Sequence, residues 1–242
     1  MTTAPPSQWT KSRGTGGPTR VKLCEFEGLE AAYECCFIGA DMLGFHIFES
    51  QDVEERTRRF AAFFATLPPF PAKTLLTDLP LPRLLEVLPV LSFDAFQMYA
   101  PCTQQEVEAL RARAGQPVRI LKVMSEKSSE NGMSDGAFIE HYAPMVDALL
   151  LDSFYEGGTG LTGDWDHCAE IVQACPIPVF LAGGLTPDNV GEAIAKVRPF
   201  GVDVESGVGT RLPDGRRLKN TLKCRLFVEK VREADWRLGR LS

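Results

Sequence analysis

From Arg20 to Ala234, short apolar runs alternate eight times with amphipathic stretches, and that rhythm constrains the fold more than any other feature of the chain. The apolar runs are Arg20–Cys24, Asp41–Phe48, Ala72–Thr77, Phe93–Met98, Val118–Val123, Ala148–Asp152, Val179–Ala182 and Val202–Val204. Each is short enough to be a buried strand. Between and after them lie stretches such as Gly28–Ala40, Thr103–Ala114, Trp165–Ala174 and Leu218–Ala234, whose apolar residues recur at three- and four-residue spacing, the period of a helix. Strict strand–helix alternation with short connections implies a parallel sheet, because each helix carries the chain back to start the next strand in the same direction. Eight such units close on themselves, so the expected fold class is α/β, a single (β/α)8 TIM barrel over residues 20–242. An open doubly wound sheet would place its glycine-rich phosphate turn after the first strand, where this chain reads Cys24-Glu25-Phe26-Glu27-Gly28.

The first 19 residues are rich in Thr, Pro, Ser and Gly with no apolar core, and read as a flexible, disordered tail and not as a secretory signal. No apolar run approaches the roughly 18–20 residues of a membrane span, so no membrane partner is expected. A net charge of −6, with no Lys/Arg run interleaved by aromatics, gives no reason to expect a nucleic-acid partner. The seven cysteines lack the paired spacing of a zinc site, and no metal is expected. Free thiols in a reducing cytoplasm are the simplest account of them. The polar stretch from Ser125 to Asp135 is the most loop-like internal segment; whether it closes as a lid is not legible in the sequence.

Chemistry is expected where strands end. Gly183 and Gly184 close one strand, and Ser206 and Gly207 follow the next, so backbone N–H groups can converge there on a small anion. In an eight-unit barrel these are the turns after the seventh and eighth strands, the usual phosphate seat. Strand ends also single out Cys24, Gln97, Asp152 and Asp203, with Lys122 a weaker choice. Taken singly, a strand cysteine is usually core and a strand-end Asp is often only a cap.

These landmarks together resemble the phosphoribosylanthranilate isomerase family, a tryptophan-pathway group of barrel enzymes. The resemblance runs from about Val21 to Phe227 through Lys22-Leu23-Cys24, Gly39–Phe45, Phe96–Tyr99, Leu149–Ser153, Gly157–Gly160 with Asp164-Trp165, Leu181–Val190 and Val202–Val208. It implies an aldose–ketose isomerase that carries an N-(5-phosphoribosyl) amine through an Amadori rearrangement to the 1-deoxyketose phosphate. It further implies Cys24 as general base, Asp152 as general acid, and Gly158, Gly183, Gly184, Ser206 and Gly207 as the phosphate site. Asp203 would face the ribose hydroxyls or the amine, and Gln97 would belong to the substrate site. The partner is then a phosphorylated small molecule, no cofactor is required, and the chain would be a monomer or a homodimer. The general base needs a populated thiolate, which a positive neighbour would favour, and the acid must keep a proton near neutral pH.

Sorted by role, the departures from that family spare the phosphate end and the acid–base pair but not the aryl-carboxylate end; late in the chain the family's Ser-Gly-Val-Glu becomes Ser206-Gly207-Val208-Gly209 and its Gly-Lys-Asp becomes Lys219-Asn220. Glu25 stands where the family has glycine, Met98-Tyr99-Ala100 follow Gln97, and the turn after the second strand reads Glu49-Ser50-Gln51-Asp52, with no arginine before Arg56. In the family an arginine of that turn pairs with the anthranilate carboxylate. A paralogue acting on another phosphoribosyl amine, a lyase or epimerase acting on a sugar phosphate, and a non-catalytic phosphate-binding barrel are therefore the alternatives.

Overall fold

The computed structural model describes residues 17–115, 117–124, 132–153, 164–213 and 217–241. The strands β1 (Arg20–Leu23), β2 (Met42–His46), β3 (Ala72–Thr77), β4 (Ala95–Met98), β5 (Arg119–Met124), β6 (Ala148–Asp152), β7 (Val179–Ala182) and β8 (Gly201–Val204) pair in parallel, in that order, and close into a barrel. Closure is made by β1 on β8, with Lys22 opposite Asp203 and Leu23 opposite Val204. The helices α1 (Leu29–Cys35), α2 (Val53–Phe64), α3 (Leu81–Val87), α4 (Gln104–Arg113), α5 (Asp135–Tyr142), α6 (Trp165–Ala174), α7 (Val190–Val197) and α8 (Thr221–Arg237) follow the strands in turn. None is long and apolar enough to cross a membrane.

Helix starts follow local chemistry. Thr103 opens α4 with a capping box in which Glu106 reaches back, Asp52 accepts from Glu55 N–H ahead of α2, and Asp164 accepts from Asp166 and His167 N–H ahead of α6. The last helix begins later than its pattern predicts. Leu218 and Lys219 belong to β10 (Arg217–Lys219), which pairs antiparallel with β9 (Gly209–Arg211), and Asn220 caps α8. A hairpin of this length looks like a continuation of the helical pattern, because three residues carry too little period to separate the two.

Side chains sort into two apolar layers. The larger lies between strands and helices and includes Phe45, Phe60, Phe93 and Phe96; the smaller fills the barrel and includes Ala95, Leu121, Val123, Leu150, Phe180 and Ala182. The amino-terminal end of the barrel is tied by a repeated device. Asp41, Asp94 and Asp147 each precede an even-numbered strand and accept from Val21, Lys73 and Ile120 N–H at 2.8, 2.7 and 2.9 Å, on the strand before.

The same end is closed by Asp235, which is fully buried. It accepts from Thr19 N–H and Oγ at 2.8 and 2.5 Å, with Arg232 3.4 Å and Arg240 3.9 Å away. Thr19, the last residue of the segment expected as a tail, is thus fixed against the barrel, while residues 1–16 lie outside the described residues. Removing the carboxylate breaks a buried network that joins Thr19, Arg232 and Arg240. Asp235→Ala is expected to cost about 3–5 kcal/mol, and so to lower Tm by about 10 °C in thermal unfolding followed by circular dichroism. An unchanged Tm would mean that the network contributes nothing.

Candidate active site

Residues two apart on a strand share a face, so Lys22 and Cys24 both point into the barrel from β1 and its end. Asp203 lies opposite Lys22 across the closing seam. The Lys22 ammonium donates to Cys24 Sγ and lies 3.1 Å from Asp203 Oδ2, and Cys24 Sγ donates to Asp203 Oδ1 at 2.9 Å. Lys22 and Cys24 have no exposed surface. Gly44, opposite Cys24 on β2, makes room for the thiol: a Cβ there would sit 2.7 Å from Sγ.

Burial, and next the Asp203 carboxylate, push the Cys24 thiol well above the ordinary thiol range, against the opposing pull of Lys22. The resting thiol is therefore neutral. Lys22 is held above its ordinary value: burial pulls it down, and Asp203 and Cys24 more than offset this. The carboxylate acting on the thiol is Asp203. Glu25 instead sits in the left-handed region at φ 65°, among the charges of Lys219, Arg217, Glu27 and Arg56.

Asp152 ends β6, on the wall opposite β2, half-buried beneath the mouth. Gln97 is buried on β4, away from β7 and β8, and donates to Tyr99 Oη at 3.0 Å while its Oε1 has no partner. That puts it at the far end of the site from the expected phosphate turns. Lys122 faces outward: its Nζ donates to the Tyr99 and Ala100 carbonyls at 2.9 and 3.1 Å and lies over the ring of Tyr142. It supports the β4 end from the helix layer and takes no place inside the barrel.

The turns after β7 and β8 meet each other. Gly183 and Gly184 both have positive φ, 92° and 64°, and Asn189 locks the turn by accepting from Thr186 N–H at 2.8 Å and donating to Gly184 O at 3.0 Å. After β8, Ser206–Val208 forms one turn of 3₁₀ helix. Gly207 packs so closely on the first turn that a Cβ would lie 1.9 Å from the Leu185 carbonyl oxygen. Gly158 lies outside the described residues.

The mouth holds groups that single-residue reasoning passes over. Arg56 spends its guanidinium on Glu27, at 2.6 and 3.2 Å, and on the His46 carbonyl at 2.7 Å, and Arg59 also binds Glu27. His46 is 8 % exposed, its Nε2 has no hydrogen-bond partner, and Glu205 Oε2 lies 3.5 Å away. Burial, then Lys22 and Arg56, lower His46 to about 4, so the imidazole is neutral and the contact is not an ion pair. Glu205 keeps 42 % of its side-chain surface exposed; partial burial, then Glu25 and Asp203, raise it to about 7. Only the alternation of side chains on β1, β2 and β8 could have pointed to Lys22, His46 and Glu205.

A closed barrel that gathers Lys22, Cys24 and Asp203 within it, toward the carboxyl ends of its strands, defines the class: a (β/α)8-barrel enzyme. Residues 24–230 match the family model described as N-(5'-phosphoribosyl)anthranilate (PRA) isomerase, and the chain belongs to that family. It is 35% identical over 230 residues to the N-(5'-phosphoribosyl)anthranilate isomerase of Halorubrum lacusprofundi, covering 89% of this chain and 98% of that protein. The crystal structure of phosphoribosyl anthranilate isomerase from Thermus thermophilus shares its fold with TM-score 0.68 at 24% identity, over 89% of this chain and 99% of that one. A further solved phosphoribosyl anthranilate isomerase, at 26% identity and TM-score 0.65 over 89% of this chain and 99% of its own, is in complex with reduced 1-(o-carboxyphenylamino)-1-deoxyribulose 5-phosphate.

Proposed function

We propose that this chain is an N-(5'-phosphoribosyl)anthranilate isomerase in which Cys24 is the general base and Asp152 the general acid. Family membership supports the reaction, and the thiol held between Lys22 and Asp203 supports the assignment of the base. Asp152 delivers a proton to the ribose ring oxygen as the C1–O bond breaks and the amine nitrogen forms an iminium with C1. Cys24 then takes the proton from C2, and the electron pair of that C–H bond forms the enolamine, which ketonises to the aminodeoxyketose.

A buried neutral thiol becomes a base by giving its proton to Asp203. The S–H bond breaks, an O–H bond forms on the carboxylate, and the ammonium of Lys22 stays beside the new thiolate. Net charge inside the barrel is unchanged, which makes the step feasible where charge separation would be costly. The cluster and Asp152 recover their starting protonation through solvent at the mouth.

The substrate phosphate takes the turns at Gly183–Gly184 and Ser206–Gly207, through backbone N–H groups and with Gly158 as a further contributor. Because Gly207 touches the Leu185 carbonyl, Gly207→Ala pushes the two turns apart. The expected result is a rise of about tenfold or more in KM and in the inhibition constant of inorganic phosphate, the loss of one or two charge-assisted hydrogen bonds. If both constants stay put, the phosphate is held elsewhere.

The test of the reaction is turnover of phosphoribosylanthranilate by the purified chain, read as loss of substrate fluorescence, with Cys24→Ser and Asp152→Asn beside it. No turnover by the wild type sinks the reading.

A further inference from the structure

Acidic and basic groups alternate at the mouth, and Arg217 and Lys219 both lie near Glu25. Asp203, Glu205 and Glu25 face Lys22 and Lys219. Lys22 is bound to Asp203 and Cys24, Lys219 donates to the Glu205 carbonyl at 3.0 Å and lies over the Phe26 ring, and Arg56 and Arg59 are held by Glu27. Beside this cluster stands an aromatic wall: His46 against Phe48 at 5.0 Å, and Phe48 edge-on to Tyr99 at 5.5 Å. The wall suits a flat ring. The polar atom it leaves unpaired is His46 Nε2, buried and directed at Glu205.

We propose that His46 and Glu205 form the subsite for the aryl carboxylate, and that Glu205 takes up a proton from solvent when the carboxylate binds, so that recognition is made by neutral donors. The inference rests on the isomerase reading. A neutral imidazole offers Nε2–H, and a protonated Glu205 offers O–H, so the substrate's two carboxylate oxygens meet two donors where an ionised Glu205 would repel them.

The groups that set the protonation of Glu205 come from every neighbouring wall. Glu25 and Asp203 raise it, Lys219 and Lys22 lower it, and His46 and Tyr99 face it as neutral groups. With the free carboxyl near 7, the sign is fixed. Below that pH Glu205 already carries its proton and affinity is flat; above it, binding must take up a proton and affinity falls as pH rises.

The experiment is titration calorimetry of reduced 1-(o-carboxyphenylamino)-1-deoxyribulose 5-phosphate and of its counterpart lacking the ring carboxyl. It is run from about pH 6 to about pH 8.5 in buffers of different ionisation heat. The phosphate is common to both ligands, so the difference between them isolates the carboxyl. For the wild type, Kd of the carboxylated ligand should rise by up to about tenfold per pH unit above pH 7, with about one proton taken up, while that of the carboxyl-free ligand does not. In Glu205→Gln, whose amide is a permanent donor, the carboxylated ligand should bind about tenfold tighter than to wild type near pH 8, with no proton uptake. A gain of affinity cannot come from misfolding. His46→Phe should weaken the carboxylated ligand alone. Equal pH dependence for the two ligands, or a Glu205→Gln variant no tighter than wild type near pH 8, overturns the inference while turnover of phosphoribosylanthranilate keeps the isomerase reading intact. Absence of both turnover and binding overturns both.

Discussion

Cys24→Ser and Asp152→Asn are each expected to lower kcat for phosphoribosylanthranilate by about 10²–10⁴-fold, the range that a positioned base or acid supplies. The two losses differ in kind. Serine keeps the size of the side chain and can still donate to Asp203, but its alkoxide is far less accessible than a thiolate, so the C2 proton stays and KM is little changed. Asparagine at Asp152 keeps the shape of the β6 terminus and removes the proton that ring opening needs. Reduction of the substrate to its open-chain amine form would bypass that step, so the open-chain product analogue should bind Asp152→Asn about as well as wild type. Stopped-flow fluorescence of substrate loss gives kcat, and calorimetry with the analogue gives binding. Either variant retaining wild-type kcat removes that residue from the mechanism.

Lys22→Met should produce the second large effect, because one side chain neutralises Asp203 and holds Cys24 Sγ. Methionine fills a similar volume without charge, leaving Asp203 buried beside a thiol. Breaking a buried pair in this way costs about 3–5 kcal/mol of stability. The thiol should be harder still to ionise, since Lys22 is the group that pulls it down. Two readouts separate this positioning role from a structural one. The pH profile of kcat should shift to higher pH in Lys22→Met, since the base is harder to ionise, and Lys22→Arg should recover part of kcat by restoring a cation. If kcat keeps both its pH profile and its value, Lys22 only packs the barrel.

The barrel was legible because its signal is local. Apolar runs and helical spacing are read within a window of a few residues, and Ala72–Thr77, Ala148–Asp152, Trp165–Ala174 and Val179–Ala182 appear in the structure with the bounds their pattern gives. Where the window is too short the pattern misleads, as at Leu218–Lys219, which continues the spacing of the last helix yet pairs as strand. Lys122 shows the limit of strand-end reasoning: its place in β5 was readable, but which side of the sheet it faced was not, and it lies under α5.

Within the candidate site, the sequence by itself determined which chemistry-bearing residues end strands: Cys24, Asp152 and Asp203, with the glycines of the last two turns. Only the tertiary structure decided their company. Lys22 meets Asp203 because closure of the barrel fixes the register of β1 on β8, and His46 meets Glu205 across the same mouth. Their ionisation follows from those meetings, since burial and neighbouring charge, not residue type, set whether a thiol, an imidazole or a carboxyl keeps its proton.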